Sequence, residues 1–280
     1  MAHYYKFRQV DKYSLSALAG CQLWFDKLSN QNDPFEGRYK LTFNPTAEQQ
    51  ASINKHFAHS TPEQLDIIFK TTGLQNPASC SPVELCEYYV RALAQDAANN
   101  LQQCLICSMS SSNIDGATDV KDPIENTLMW GHYAGGLRGF CLVFDEEKLT
   151  QSIFENTQRQ AYPTPVQYSD VPTDIEATSF VTITNNVFAP NTEADIVQML
   201  LNVSATKSLD WKGENEVRFL SHSSEQLVSY EAQALVGVII GDKMQKSDRN
   251  LLLTILDSKY PHIEIKTAKT KRESYGLMFV

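Results

Sequence analysis

The chain has 280 residues, 42% of them hydrophobic, and its 33 acidic against 24 basic side chains give a formal net charge of −9. That length can bury a sizeable core without metal or disulfide. The acidic balance excludes binding of a phosphate backbone over the whole surface, because such affinity comes from Lys and Arg displacing counterions. The longest apolar runs, Leu235 to Ile240 and Leu251 to Ile255, fall far short of the roughly 20 residues that cross a bilayer. Met1 to Arg8 lacks the basic start, apolar stretch and cleavage site of a secretory leader, so a cytoplasmic location with no membrane partner is expected.

His3 to Val10, with aromatic and β-branched residues in polar alternation, predicts a first strand, and Ser14 to Ala19 a short helix opened by a serine cap. Gln22 to Lys27 reads as the next strand. It runs into Asn30-Gln31-Asn32-Asp33-Pro34, where Asn and Asp side chains bond their own backbone and Pro sets the turn. The spacing then becomes helical, with caps at Thr46, Thr61-Pro62 and Ser81-Pro82, and predicts a helical insertion over about 45–103.

Leu101 to Met109 turns strand-like, and Ser110 to Asp122 is a polar loop. Thr127 to Ala134 predicts a helix ended by Gly135-Gly136, Gly139 to Phe144 a buried strand, and Asp145 to Thr157 another helix. Further on, the pattern predicts strands at Val166 to Ser169 and Glu214 to Ser221, with a helix from Thr192 to Leu209 between them. The last third reads as strand Ala234 to Gly241, helix Ser247 to Lys259 capped by Ser247, strand His262 to Lys266 and a final strand at Tyr275 to Val280. With no linker and no repeat, the expectation is a single α+β domain: a central mixed or split antiparallel sheet, flanking helices and the helical insertion.

The six cysteines, Cys21, Cys80, Cys86, Cys104, Cys107 and Cys141, read as reduced core thiols. Cys104 and Cys107 form a CxxC without a second pair, and no metal site is expected from it. Lys266, Lys269, Lys271 and Arg272 make the one dense basic cluster, which reads as a solvated face. The phosphate loop GxxxxGK[ST], HExxH and GxSxG are absent, and Gly135-Gly136-Leu137-Arg138-Gly139 follows a helix rather than a strand, unlike a dinucleotide fingerprint.

Four polar clusters stand in apolar surroundings. They are Tyr5-Lys6-Phe7-Arg8; Asn32-Asp33-Pro34-Phe35; Cys107-Ser108-Met109-Ser110 with Leu128 to Ala134; and Trp211 to Arg218 with its Glu214-Asn215-Glu216. Their order resembles a widespread, mainly bacterial family known as a domain of unknown function, whose members read YKYR, NDPF, a serine strand with MWxHYA and GxCxxF, and a late ExEWR. The order of an arginine strand, a serine strand and a Glu-x-Glu strand is also similar to ADP-ribosyltransferases, which clasp NAD in a split sheet.

That resemblance implies an NAD-consuming enzyme, with NAD as substrate and a protein or nucleic acid as acceptor, of the kind found among bacterial toxins and anti-phage effectors. It implies that Arg8 pairs with a phosphate of NAD, that Ser108 holds the nicotinamide-side ribose, and that Glu216 stabilises the charge formed as nicotinamide leaves. Glu214 then polarises the acceptor, and Ser110, Trp130, His132 and Tyr133 line the cofactor site. Other readings stand beside this one. Arg8 could bridge Asp33 or Glu36, Glu216 could pair with Arg218 or Arg8, and Trp130, His132 and Tyr133 could pack their helix on the sheet, with His132 a core histidine. A non-catalytic module binding a nucleotide or protein is the main alternative, and a metal-dependent nuclease using Asp33, Glu36 and the late glutamates a third.

Overall fold

A computed structural model describes residues 2–74, 79–113, 121–184, 187–190, 199, 201–221 and 224–280. The fold is α+β. The chain gathers into two compact units, Met1–Asn30 with Cys104–Tyr168 and Lys207–Val280, and Gln31–Gln103 with Ser169–Thr206.

The first unit is built on a nine-stranded mixed sheet. Its order runs Leu277–Phe279, Glu264–Thr270, Leu235–Gly241, Phe140–Asp145, His3–Arg8, Leu105–Ser111, Glu216–Ser221 and Ala161–Pro165, with Asp26–Lys27 also paired to Leu105–Ser111. Only the Leu235–Gly241 and Glu264–Thr270 pair is parallel; the other pairs are antiparallel.

Strand alternation sends successive side chains to opposite faces, and each face has its own core. Tyr4, Cys107, Met109, Val217 and Phe219 join one cluster with Leu15 and Leu18 of helix Lys12–Ala19, Leu149 and Ile153 of helix Glu146–Asn156, and Leu252 and Leu256 of helix Lys246–Lys259. On the other face Tyr5 and Phe7 pack with Met129 and Trp130 of helix Thr127–Tyr133.

The first strand and the serine strand do not pair along their whole length. They register at Tyr4↔Ser111 and Tyr5↔Ser110, while the far end of the serine strand pairs instead with Asp26 and Lys27 at Ile106 and Leu105. Lys6 Nζ donates to the Ser108 carbonyl across the interval where the two strands part. The sheet is therefore split at this point, and one lysine spans the split.

The second unit holds the three capped helices expected from the sequence. Ala47–His59, Pro62–Thr72 and Pro82–Leu101 each open with a reciprocal capping box, formed by Thr46 with Gln49, Thr61 with Gln64, and Ser81 with Glu84. Each box satisfies backbone N–H groups that the first helical turn leaves without partners. Ile53, Phe57, Leu85, Tyr89 and Val90 pack there with Ala177 and Val181. In this unit Asp33 is buried and its Oδ1 accepts the Phe35 N–H at 2.9 Å, the turn lock expected of Asn32-Asp33-Pro34.

Several local readings are corrected. The first helix starts at Lys12 and is capped by Asp11, whose carboxylate accepts the Ser14 N–H, so Ser14 is the capped rather than the capping residue. The last helix starts at Lys246 after Gln245 with no side-chain cap. Of the helix expected from Thr192 to Leu209, residues 192–198 and 200 lie outside the described residues and 201–204 are helical, but its end is a strand, Thr206–Ser208. The late acidic strand starts at Glu216, and Glu214 closes a 3-10 turn, Leu209–Glu214. Asn215 joins them in the left-handed region at φ 44°, a conformation that short polar side chains tolerate better than most.

Gly139 sits where the loop after helix Thr127–Tyr133 crosses the first strand. A Cβ there would lie 2.1 Å from the Arg8 carbonyl oxygen and 3.0 Å from the Ala134 backbone. Gly139→Ala is expected to destabilise the protein by at least about 2 kcal/mol in urea unfolding, because backbone rather than a flexible side chain has to move. Unchanged stability would show that this crossing is looser than described.

Candidate functional site

The polar residues singled out in the sequence meet on one face of the sheet. Glu216 stands opposite Ser110 and Arg218 opposite Ser108 in the ladder between their strands. Paired residues of an antiparallel ladder project to the same side, so all four side chains share one face. Val217 and Phe219 belong to the opposite core, which assigns the polar four to the side covered by helix Thr127–Tyr133.

Arg218 is fully buried (0% exposed) and Glu216 nearly so (6%). A buried carboxylate needs a partner, and Glu216 has two. Arg218 Nε donates to its Oε1 at 2.8 Å, and Lys207 Nζ to its Oε2 at 3.1 Å. Lys207 also donates to Glu214 Oε2 at 2.6 Å, and its ammonium lies 4.6 Å from the centre of the Trp211 ring. Glu214 Oε1 accepts from the Tyr133 hydroxyl at 2.5 Å. The Tyr168 hydroxyl accepts the Glu216 N–H at 2.8 Å.

The cluster joins Lys207 and Arg218 to Glu214 and Glu216. Burial pushes the Glu216 carboxyl upward, but Arg218 and Lys207 outweigh it and hold the group down at about 2. Burial also works against the charged form of Lys207, yet the two glutamates raise it above its ordinary value. Ser108 Oγ lies close enough to help keep Glu216 ionised, but it makes no hydrogen bond of good geometry among the described residues.

The turn carrying Glu214 is pinned from two sides. Asn126, which caps helix Thr127–Tyr133 by accepting the Leu128 N–H, donates its amide to the Gly213 carbonyl at 2.6 Å. Asn215 donates its amide to the Ser111 carbonyl, and the Ser111 N–H returns to the Asn215 carbonyl at 2.9 Å.

Of the residues expected at the site, Ser108, Ser110, Tyr133, Glu214 and Glu216 come together. Glu214 and Glu216 do not share a strand face as their spacing suggested; Lys207 joins them across the turn. Glu216 does pair with Arg218, one of the partners the sequence allowed. Trp130 is buried, donates its indole N–H to the Ile124 carbonyl at 2.8 Å and stands edge-on to Phe7, which is a packing role. His132 is exposed, against the expectation of a core histidine, with its ring 6.4 Å from that of Trp211. Arg8 does not join the others: it ends the first strand half-buried and by alternation shares the side of Tyr4, Phe140 and Leu142, opposite the Ser108 and Glu216 face, and its guanidinium makes no ion pair or hydrogen bond among the described residues. His222 lies outside the described residues.

Sequence reasoning missed Lys207 and Tyr168. Lys207 fell on an expected helix, and a tyrosine in a short strand carried no signal beyond its ring. No group of three or more His, Cys, Asp or Glu side chains among the described residues could hold a metal ion, and no described helix is long and apolar enough to cross a membrane.

A family described as Protein of unknown function (DUF2971) matches residues 129–219. This segment takes in helix Thr127–Tyr133 from Met129 onward, together with Lys207, Glu214, Glu216 and Arg218, and the match supports the resemblance to a domain of unknown function. No curated protein and no solved structure matches the chain.

Glu216 titrates from an ordinary value of 4.5 to about 2 in the folded protein. A depressed carboxyl adds stability that is present above the unfolded value and disappears as pH falls through the folded one. Unfolding free energy should therefore drop by roughly 3 kcal/mol between about pH 5 and pH 2 from this group. Glu216→Gln should flatten that part of the profile in urea unfolding. An equally steep acid loss in the variant would place the titrating group elsewhere.

Proposed function

We propose that the first unit binds a phosphorylated nucleotide against the Ser108, Ser110 and Glu216 face and consumes NAD in the manner of an ADP-ribosyltransferase. The observation that carries this reading is a carboxylate kept ionised in a buried place beside the Ser108 hydroxyl. Breaking the bond between ribose and nicotinamide leaves positive charge on the sugar, and a fixed negative group in a dry site stabilises that charge far more than it would in water. Nicotinamide departs with the bonding electron pair, and the ribosyl carbon takes the nucleophile of water or of a protein or nucleic-acid acceptor. Ser108 offers its hydroxyl to the ribose, while Arg8, which alternation sets on the opposite side of the sheet, is not a phosphate partner in this reading.

One observation favours a second reading, a non-catalytic nucleotide-binding module. Both oxygens of Glu216 are already engaged by Arg218 and Lys207, and a carboxylate so committed serves a ligand only if Lys207 moves aside.

Nicotinamide release from NAD, measured with cell lysate as a source of acceptors, separates the two. The first reading predicts release by wild type, a fall of at least about 100-fold in Glu216→Gln, and a smaller fall in Ser108→Ala, which leaves the ion cluster intact. Absence of release from folded wild type would leave the binding module.

A further inference from the structure

A sheet that does not close has two outer edges, and each offers backbone donors and acceptors to whatever can pair with them. Here the outer strands are Ala161–Pro165 and Leu277–Phe279. The first edge is sealed. The Val166 N–H donates to the Glu216 carbonyl at 2.9 Å, and Pro165 and Pro163 stand opposite Val217 and Phe219, so ladder alternation turns the backbone nitrogens of residues 161, 163 and 165 outward. Two of these are prolines, which have no N–H, and the Ala161 N–H is taken by the Thr157 hydroxyl at 3.2 Å.

The second edge carries none of these devices. Thr267 and Val280 exchange both backbone bonds, at 2.6 and 3.1 Å, and the Lys271 N–H donates to the Gly276 carbonyl at 2.9 Å. The same alternation therefore turns the N–H and C=O of Leu277 and Phe279 away from the neighbouring strand, and no described residue pairs with them. Gly276 to Val280 contains no charge and no proline. Met278 and Val280 are exposed (43% and 56%) on the side of the sheet opposite Leu277, and Ile265 of the neighbouring strand is exposed on that same side.

Charge decides what fits there. Residues 264–280 hold Lys266, Lys269, Lys271 and Arg272 against Glu264 and Glu273, in a chain whose net charge is −9. Glu264 is already held by Lys266 at 3.0 Å. Lys269, Lys271 and Arg272 are exposed, and the Lys271 ammonium lies 3.8 Å from the point that a Cβ on Gly276 would occupy, at the head of the outer strand. A second copy of this edge supplies no acid to these cations. We propose that the outer edge of Leu277–Phe279 receives an extended segment of a partner protein as an added antiparallel strand. That segment is apolar beside Met278 and Val280 and acidic at its C-terminal end, which antiparallel pairing sets against Lys271 and Arg272. Backbone bonds at Leu277 and Phe279 supply affinity, and the side chains and the basic turn supply specificity.

Titration of the full chain with a blocked peptide of alternating threonine and valine that ends in glutamates tests this, beside the same peptide ending in lysines. Wild type should bind the glutamate peptide at least about tenfold more tightly than the lysine peptide, more weakly as salt rises, and with slowed amide exchange at Leu277 and Phe279. Lys271→Glu combined with Arg272→Glu should weaken binding about tenfold; both side chains are exposed, so the fold is kept. Phe279→Pro removes one outward donor and should do the same. If that variant fails to fold, glutamate peptides N-methylated at the valines or at the threonines replace it, and one set alone should lose binding, because alternate residues turn their N–H to opposite edges. No saturable binding by wild type, equal affinity for the lysine peptide, or binding that survives both N-methylated sets overturns the proposal. Self-association of wild type that Phe279→Pro abolishes also overturns it and gives the edge to a second copy. A single-stranded oligonucleotide that outcompetes the glutamate peptide overturns it in favour of phosphate.

Discussion

A carboxylate cannot stay charged in a protein interior without positive partners, and that constraint organises the centre of this molecule. Glu216 is buried in the sheet and remains ionised because Arg218, two residues along the same strand, and Lys207, nine residues before it, reach its two oxygens. Lys207 can do so only because the chain between them folds into a tight turn that returns Glu214 to the same ammonium. The left-handed Asn215, the amide of Asn126 on Gly213 and the hydroxyl of Tyr133 on Glu214 all hold that turn against the serine strand and the neighbouring helix. Removing one member of such a cluster leaves an uncompensated charge, which typically costs about 3–5 kcal/mol.

The split between the first strand and the serine strand follows from the same economy of partners. Strand groups that leave a ladder must be satisfied by something else, and the Lys6 ammonium supplies one replacement by donating to the Ser108 carbonyl. A structure that needed only to close its sheet could have continued the ladder from Tyr5.

Much of the frame was legible because its signals are local. The capping boxes at Thr46, Thr61 and Ser81 sit beside the turns they satisfy, and the alternation of Tyr4 to Phe7 or the apolar run at Leu235 reflects burial directly. The order of serine and glutamate strands also survived, since Ser108, Ser110 and Glu216 do share a face. What was not legible depends on contacts far apart in sequence. Tyr168 reaches Glu216 over 48 residues, and Lys207 was masked by helical spacing that breaks into a strand just where the lysine is needed. Glu214 looked like a strand residue because a period of two cannot reveal a 3-10 turn. His132 looked like a core histidine because it stands between buried Trp130 and half-buried Tyr133, although a helix turns it to the exposed side. Asp11 lost its role as cap to Ser14 because both types cap well and only the backbone decides between them.

The central claim is that Lys207 and Glu216 act as one unit that assembles the face bearing Ser108. A double-mutant cycle in urea unfolding, using Lys207→Met, Glu216→Gln and the pair, measures their coupling directly. The account predicts a coupling free energy of at least about 1.5 kcal/mol in favour of the native pair. Additive effects, with coupling near zero, would mean that the two charges are held by separate surroundings and that the cluster is not the constraint on which the site depends.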